Sequence, residues 1–251
     1  MIVPSLGPPV DEVWSTLLDL SEGVEAAWTV VGGQMVLLLA LEHGVVPPQI
    51  SQDGDVLVDV RADQSAIGEM VDALEHAGFA LESISADNVA HRFVREAALG
   101  VRVVFDVLAP EGLGPRANLT TRRPGKTIEV PGGTQALERT ERVPVDLGGR
   151  IGTIPRPSLL GALVAKGAAC GLPGNTDRHH RDLALLCSLV TDPFSMSEQL
   201  TKKDRTRLRL GSALNNHDHA AWRLLDSGPR TDGQNIYALL TRIAVEPHRE
   251  T

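Results

Sequence analysis

Three aspartates carry the chemistry this sequence can do. Ser51-Gln52-Asp53-Gly54-Asp55 leads into the apolar run Val56-Leu57-Val58. Side chains alternate along an extended strand, so Asp53 and Asp55 share one face, about 7 Å apart. Two carboxylates so placed repel unless a cation neutralises them. Mg²⁺ prefers oxygen ligands and commonly takes one or two carboxylates plus substrate phosphates. The third acid, Asp106, lies near the end of Val101-Arg102-Val103-Val104-Phe105-Asp106-Val107-Leu108, an almost continuous apolar strand of the kind found inside a sheet. If the two strands are neighbours, Asp53, Asp55 and Asp106 form a site for two metal ions and in-line phosphoryl or nucleotidyl transfer. The plainer alternatives are a turn at Asp53-Gly54-Asp55 and a strand-end ion pair between Asp106 and Arg102.

Gly32-Gly33 stands between a short β-prone run and a helix-prone one. Glycines there let the backbone approach a phosphate, and the helix N-terminus supplies N–H donors and a positive dipole end. The 20 residues from Gly33 to Asp53 leave room for a helix and a return loop onto the same sheet edge.

The elements that must position these groups follow from periodicity. Helices are expected over 10–22, 34–43 and 65–76, and strands over 28–31, 56–60, 79–84, 90–95, 101–108, 127–130, 143–147 and 151–154. Residues 110–125, rich in Gly, Pro and Arg, are expected to form a loop. After Arg156-Pro157 the character becomes helical, with helices over 158–170 and 178–190. The expectation is an α/β catalytic domain over 1–156 followed by an all-helical domain over 157–251.

Composition bounds the function. Of 251 residues, 42% are hydrophobic, yet only 3 Trp, 1 Tyr and 4 Phe are present. The core must therefore be aliphatic, and a stacking platform for single-stranded nucleic acid is disfavoured. The net charge of −8 argues against a surface that binds nucleic acid all over. No apolar run approaches the ~20 residues of a membrane span, and no signal peptide is expected from the first residues. Cys170 and Cys187 sit in apolar, helix-like surroundings. They are expected to be reduced core thiols of a cytoplasmic protein.

These motifs resemble the DNA polymerase β-like nucleotidyltransferase superfamily, and within it the AbiEii-type toxins of bacterial toxin–antitoxin pairs, some of which modify tRNA acceptor ends. The matching residues are Gly32-Gly33, Ser51-Gln52-Asp53-Gly54-Asp55, the lone Asp106, Lys166 in Leu163-Val164-Ala165-Lys166, and Arg181-Asp182. The likeness spans residues 28 to about 190. It implies an α+β fold with a mixed sheet flanked by helices and a helical C-terminal part. Two Mg²⁺ ions would sit on Asp53, Asp55 and Asp106, with Asp106 helping to activate the acceptor hydroxyl. Lys166 would touch the triphosphate of an NTP, Arg181 and Asp182 would pair or orient the nucleotide, and Ser51 would brace the loop. The acceptor would be RNA, in particular a tRNA 3′ end, and an antitoxin protein would be a partner. The chain departs from the pattern at Gln49, where an Arg is usual, at Gly54, where an apolar residue is usual, and at Leu185, where an acid is usual.

Weaker motifs have plainer readings. Lys166 most simply lies on the exposed face of an Ala-rich helix. Arg178, Arg181 and Asp182 are ordinary surface ion-pair material. His179 and His180 point about 100° apart on a helix and cannot chelate together. His217-Asp218-His219 is expected to be a polar loop capping the next helix, since no further ligands complete a zinc pattern. The basic runs 202–209 and 122–126 could hold an RNA backbone or simply face solvent. Two other functions fit the same residues: transfer of a nucleotide to a small molecule of the aminoglycoside kind, and nucleotide binding without catalysis.

Overall fold

The computed structural model describes residues 1–174 and 176–242. The chain divides within a helix into two compact units, Met1–Ala165 and a second beginning at Lys166.

In chain order the first unit comprises β1 (Ile2–Val3), α1 (Pro8–Gly23), β2 (Trp28–Val31), α2 (Gly32–Glu42), β3 (Asp53–Val58), α3 (Ala66–His76), β4 (Ala80–Leu81), β5 (Arg92–Glu96), β6 (Arg102–Pro110), β7 (Ile128–Val130), α4 (Gly133–Glu138), β8 (Thr140–Leu147), β9 (Arg150–Pro157) and the start of α5 (Leu159–Ala169). Most expected elements are present. Four differ: the strand expected over 79–84 shrinks to β4, that expected over 56–60 begins earlier as β3, and β1 and α4, the latter in a Gly-Gly-Thr-Gln sequence, are additional.

A six-stranded mixed sheet runs β2-β3-β6-β5-β4, with β7 joining β6 beyond the end of β5. The central pair, β3 and β6, is parallel; β2 and β5 run antiparallel to their neighbours. One face, bearing Val56, Val58, Val103, Phe105 and Val107, is covered by α1 and α3. The buried stripe of α1 (Val10, Val13, Trp14, Leu17, Leu18, Leu20) has the helical spacing that matches such a face. Phe105 meets Phe79 edge-on with ring centroids 5.2 Å apart, and Arg95 lies over Phe79. On the opposite face Val31, Leu57, Leu108 and Ala136 form a compact apolar cluster under α4. This cluster closes one end of that face, and the aspartates occupy the other.

A three-stranded sheet, β1-β8-β9, completes the unit. Its hairpin turns through Gly148 and Gly149, both in the left-handed region, as a tight two-residue connection demands.

The second unit holds α6 (Asp177–Ser188), α7 (Pro193–Gln199), α8 (Lys202–Leu208), α9 (Ala220–Arg223) and α10 (Ser227–Thr241). α6 buries Leu183, Ala184, Leu185, Leu186 and Cys187 and packs on α10. Trp222 Nε1 donates to the Leu214 carbonyl and the Tyr237 hydroxyl to that of Leu208, which lets both rings be buried without an unpaired donor. No helix among the described residues is long and apolar enough to cross a membrane.

Candidate active site

The site begins where β2 ends and α2 starts without a linker. Val31 is extended and Gly32 takes φ +65°, a conformation glycine adopts without steric cost. Both glycines are needed for space as well. A β-carbon on Gly32 would fall 1.7 Å from Asp55 Oδ2, and one on Gly33 would fall 2.3 Å from Ser51 Cβ. The first turn of α2 is thus pressed against the Ser51–Asp55 segment, and its N–H groups and positive dipole end lie beside Asp55. Gln34, fully buried in α2, fixes the approach from the other side: its Nε2 donates to the Ser51 carbonyl at 2.7 Å and to the Asp53 carbonyl at 3.4 Å.

Sheet register places the acids. Asp55 is the direct partner of Asp106 across the parallel β3–β6 pair, with Asp53 opposite Val104. Alternation then puts the side chains of Asp53, Asp55 and Asp106 on one face. Gly54, between the first two, points to the other face, where Phe105 leaves no room: a β-carbon would meet its ring at 2.5 Å. The apolar residue usual at this position is therefore excluded by the aromatic packing beneath.

The structure adds a residue that sequence reasoning missed. Arg92 on β5 is the direct antiparallel partner of Asp106, and its Nε and Nη2 donate to Asp106 Oδ1 and Oδ2, each at 2.8 Å. Asp106 is buried and Arg92 half-exposed. The guanidinium pKa is raised above its ordinary value, chiefly by hydrogen bonding to Asp106, with the charges of Asp106, Asp53 and Glu82 adding and partial burial opposing. The Asp106–Arg102 pair is corrected: four residues apart on one strand the two are about 13 Å apart, and Arg102 pairs instead with Glu82. Arg92 was legible in principle, because the short turn over Ala98–Gly100 fixes the β5–β6 register.

The donor set fits an oxygen-preferring divalent cation only in part. Asp53 and Asp55 present carboxylates on one face, and both oxygens of Asp106 accept from Arg92. Among the described residues no group of three His, Cys, Asp or Glu side chains is gathered to hold a metal ion. Ser51 braces the loop through its carbonyl, which accepts from Gln34.

The remaining expected residues lie in the second unit. Lys166 is buried rather than on an exposed face, and its Nζ donates to Asp182 Oδ2 at 2.6 Å. Asp182 thus pairs with Lys166 rather than with Arg181, its neighbour in sequence, which leaves the helix in another direction. Leu185 is buried in α6, so the acid usual there would face the core. His219 Nδ1 accepts from the Ala221 N–H and caps α9, as expected. The basic runs are consumed internally in part, while Lys202, Lys203, Arg123 and Lys126 remain exposed. Arg205 donates to the Leu240 and Ser197 carbonyls and Arg209 to that of Thr241, closing the C-terminal end of α10. Arg122 binds Asp72 and Glu75.

Among solved structures the chain is similar to the crystal structure of an antigenic nucleotidyltransferase-like protein from Paracoccidioides brasiliensis, with a TM-score of 0.50 and 12% identity over 81% of this chain and 87% of that one. The likeness shows the fold: an α+β, nucleotidyltransferase-like mixed sheet flanked by helices. It does not extend to the AbiEii-type group. No protein-family model matches the sequence, and no curated protein matches it.

Proposed function

We propose that the chain is a Mg²⁺-dependent nucleotidyltransferase that moves a nucleotide from an NTP to a hydroxyl acceptor, releasing pyrophosphate. The observation that carries this reading is the packing of Asp55 on Gly32. It places a carboxylate pair, Asp53 and Asp55, beside a glycine-lined helix N-terminus. One group attracts a divalent cation and the other attracts phosphate oxygens. A bound Mg²⁺ would neutralise triphosphate charge, and alignment with charge stabilisation supplies most of the acceleration in such transfers. The fold of the nucleotidyltransferase-like neighbour supports the class of reaction. The motif resemblance alone supports an RNA acceptor, a tRNA 3′ end, and the role of a toxin checked by an antitoxin.

The test is incubation of the full chain with labelled NTPs, Mg²⁺ and total tRNA, repeated with Asp55→Ala. Labelling of RNA by the wild-type protein alone supports the proposal; equal labelling by both proteins overturns it. Growth arrest on expression, relieved by Asp55→Ala, is the matching outcome for the toxin role.

One observation favours a second reading. The bidentate hold of Arg92 on Asp106 removes an acid from the expected set, as in a protein that binds nucleotide without turning it over. Calorimetric NTP binding with no transfer to tRNA or to aminoglycosides would select it.

A further inference from the structure

We infer that Arg92 supplies at Asp106 the positive charge that a second divalent ion would bring, so that the site takes one such ion, on Asp53 and Asp55. This rests on the transferase reading above and goes beyond it by changing the count of ions and adding a residue.

Three observations converge. Asp106 and Arg92 are direct partners in a regular antiparallel pair, so the backbone itself brings them together. The contact uses both carboxylate oxygens at 2.8 Å, the bidentate fork that gives guanidinium–carboxylate pairs their geometric selectivity. The Asp106 side chain is 11% exposed and that of Arg92 42%, so the guanidinium is the outer member of the pair. An ion seeking Asp106 would compete with this fork for the carboxylate charge and would stand as a dication beside the guanidinium.

Arg92 is also suited to act on substrate. Its pair with Asp106 uses Nε and Nη2, which leaves the Nη1 protons for phosphate oxygens, and the negative charge of Asp53 acts on it as well. A fixed guanidinium there neutralises charge developing on a phosphoryl group, as both metal ions and arginines do in phosphoryl transfer. In this arrangement Arg92 touches the nucleotide and Asp106 is a positioning residue that holds it.

The test counts ions by electron paramagnetic resonance, with Mn²⁺ as the probe and a non-hydrolysable α,β-methylene NTP bound to the full chain. Two Mn²⁺ ions about 4 Å apart, as in two-metal sites, give a spin-coupled spectrum, and one ion gives a simple six-line spectrum. The wild-type complex is expected to show one ion, and Arg92→Gln, which frees Asp106, a coupled pair. A coupled pair in the wild type overturns the inference and leaves the transferase reading standing, as does a single ion in both proteins. A wild-type spectrum identical to that of Mn²⁺ with nucleotide alone defeats the transferase reading and the inference with it. Asp106→Asn gives a second check that does not depend on the Arg92 variant folding. It is expected to keep the single-ion spectrum, with at most the about 10–100-fold weakening that loss of an outer-shell partner brings, whereas complete loss of Mn²⁺ binding shows Asp106 to be a ligand and overturns the inference.

Discussion

The carboxylate of Asp55 rests on the α-carbon of Gly32: a β-carbon there would stand 1.7 Å from Oδ2. Gly32 also holds φ +65°, so Gly32→Ala faces a steric clash and an unfavourable backbone at once. The expected cost is about 2 kcal/mol or more in urea unfolding. NTP transfer is expected to be lost along with it, because the substitution displaces the very carboxylate the site needs. Gly68, which meets nothing within 4 Å of a built β-carbon, is the control: Gly68→Ala is expected to be neutral or mildly stabilising. Equal effects at the two positions would show that the fit at Gly32 is immaterial.

How much of this was legible beforehand depends on the range over which each fact is determined. Alternation along β3 put Asp53 and Asp55 on one face from local sequence alone, and the apolar run of β6 marked Asp106 as an interior acid. The partner of Asp106 was not local. It is set by the β5–β6 register, and the nearer basic residue, Arg102, shares Asp106's strand rather than facing it. The same limit hid why position 54 is glycine, since the ring that excludes a side chain belongs to Phe105 on another strand. The internal bonds within the basic run 202–209 were out of reach for a related reason. Charge density is visible in sequence, but the Leu240 and Thr241 carbonyls that Arg205 and Arg209 satisfy lie more than thirty residues away.

Gly54 and Phe105 should behave as a coupled pair. Gly54→Ala places a methyl 2.5 Å from the Phe105 ring, and overpacking of this kind costs about 1–3 kcal/mol. In a Phe105→Leu background the ring is gone and the same substitution should cost less. A double-mutant cycle on unfolding free energies measures the difference, which is expected to exceed the ~0.5 kcal/mol scatter of independent sites. Strict additivity would mean that the glycine is not dictated by the ring.

Asp53→Asn separates function from folding. The side chain is half-buried and faces the site rather than the core, and the substitution removes one of two like charges on a single strand face. Transfer activity is expected to fall by about 100-fold or more, the scale of losing one electrostatic contributor to a transition state. The melting temperature should hold or rise. A fall in both would mean that Asp53 serves the fold.

Lys166 and Asp182 form a mostly buried pair, with side-chain exposures of 6% and 26%. Lys166→Met leaves Asp182 half out of water and uncompensated. The expected cost is about 2 kcal/mol, below the ~3–5 seen for fully buried pairs because Asp182 keeps part of its solvation. Lys166→Met combined with Asp182→Leu should recover most of that loss, since well-packed apolar residues replace buried ion pairs at little cost. Unfolding curves of the two single variants and the double variant decide it, and a double variant weaker than either single one would contradict the pairing.

His179 gives the protein an acid-side weakness. Its imidazole is pushed down to about 4, first by burial and then by the charges of Lys166 and Arg178, with Asp182 opposing. His180 is lowered too, again chiefly by burial, with His219 adding and the hydrogen bond at the Thr176 carbonyl opposing. An unfolded histidine titrates near 6.5, so between about 6.5 and 4 the unfolded chain takes up protons that the folded chain refuses. Stability is therefore complete above about pH 6.5 and declines as the pH falls towards 4. His179→Gln removes the larger share of that proton uptake and leaves that of His180. Thermal melts at pH 7.5, 6.0 and 5.0 should show a shallower decline for the variant than for the wild type. Parallel declines would place the acid sensitivity elsewhere, in carboxylates such as Glu75, whose pKa is lowered chiefly by its hydrogen bond with Arg122 and whose contribution is lost at lower pH.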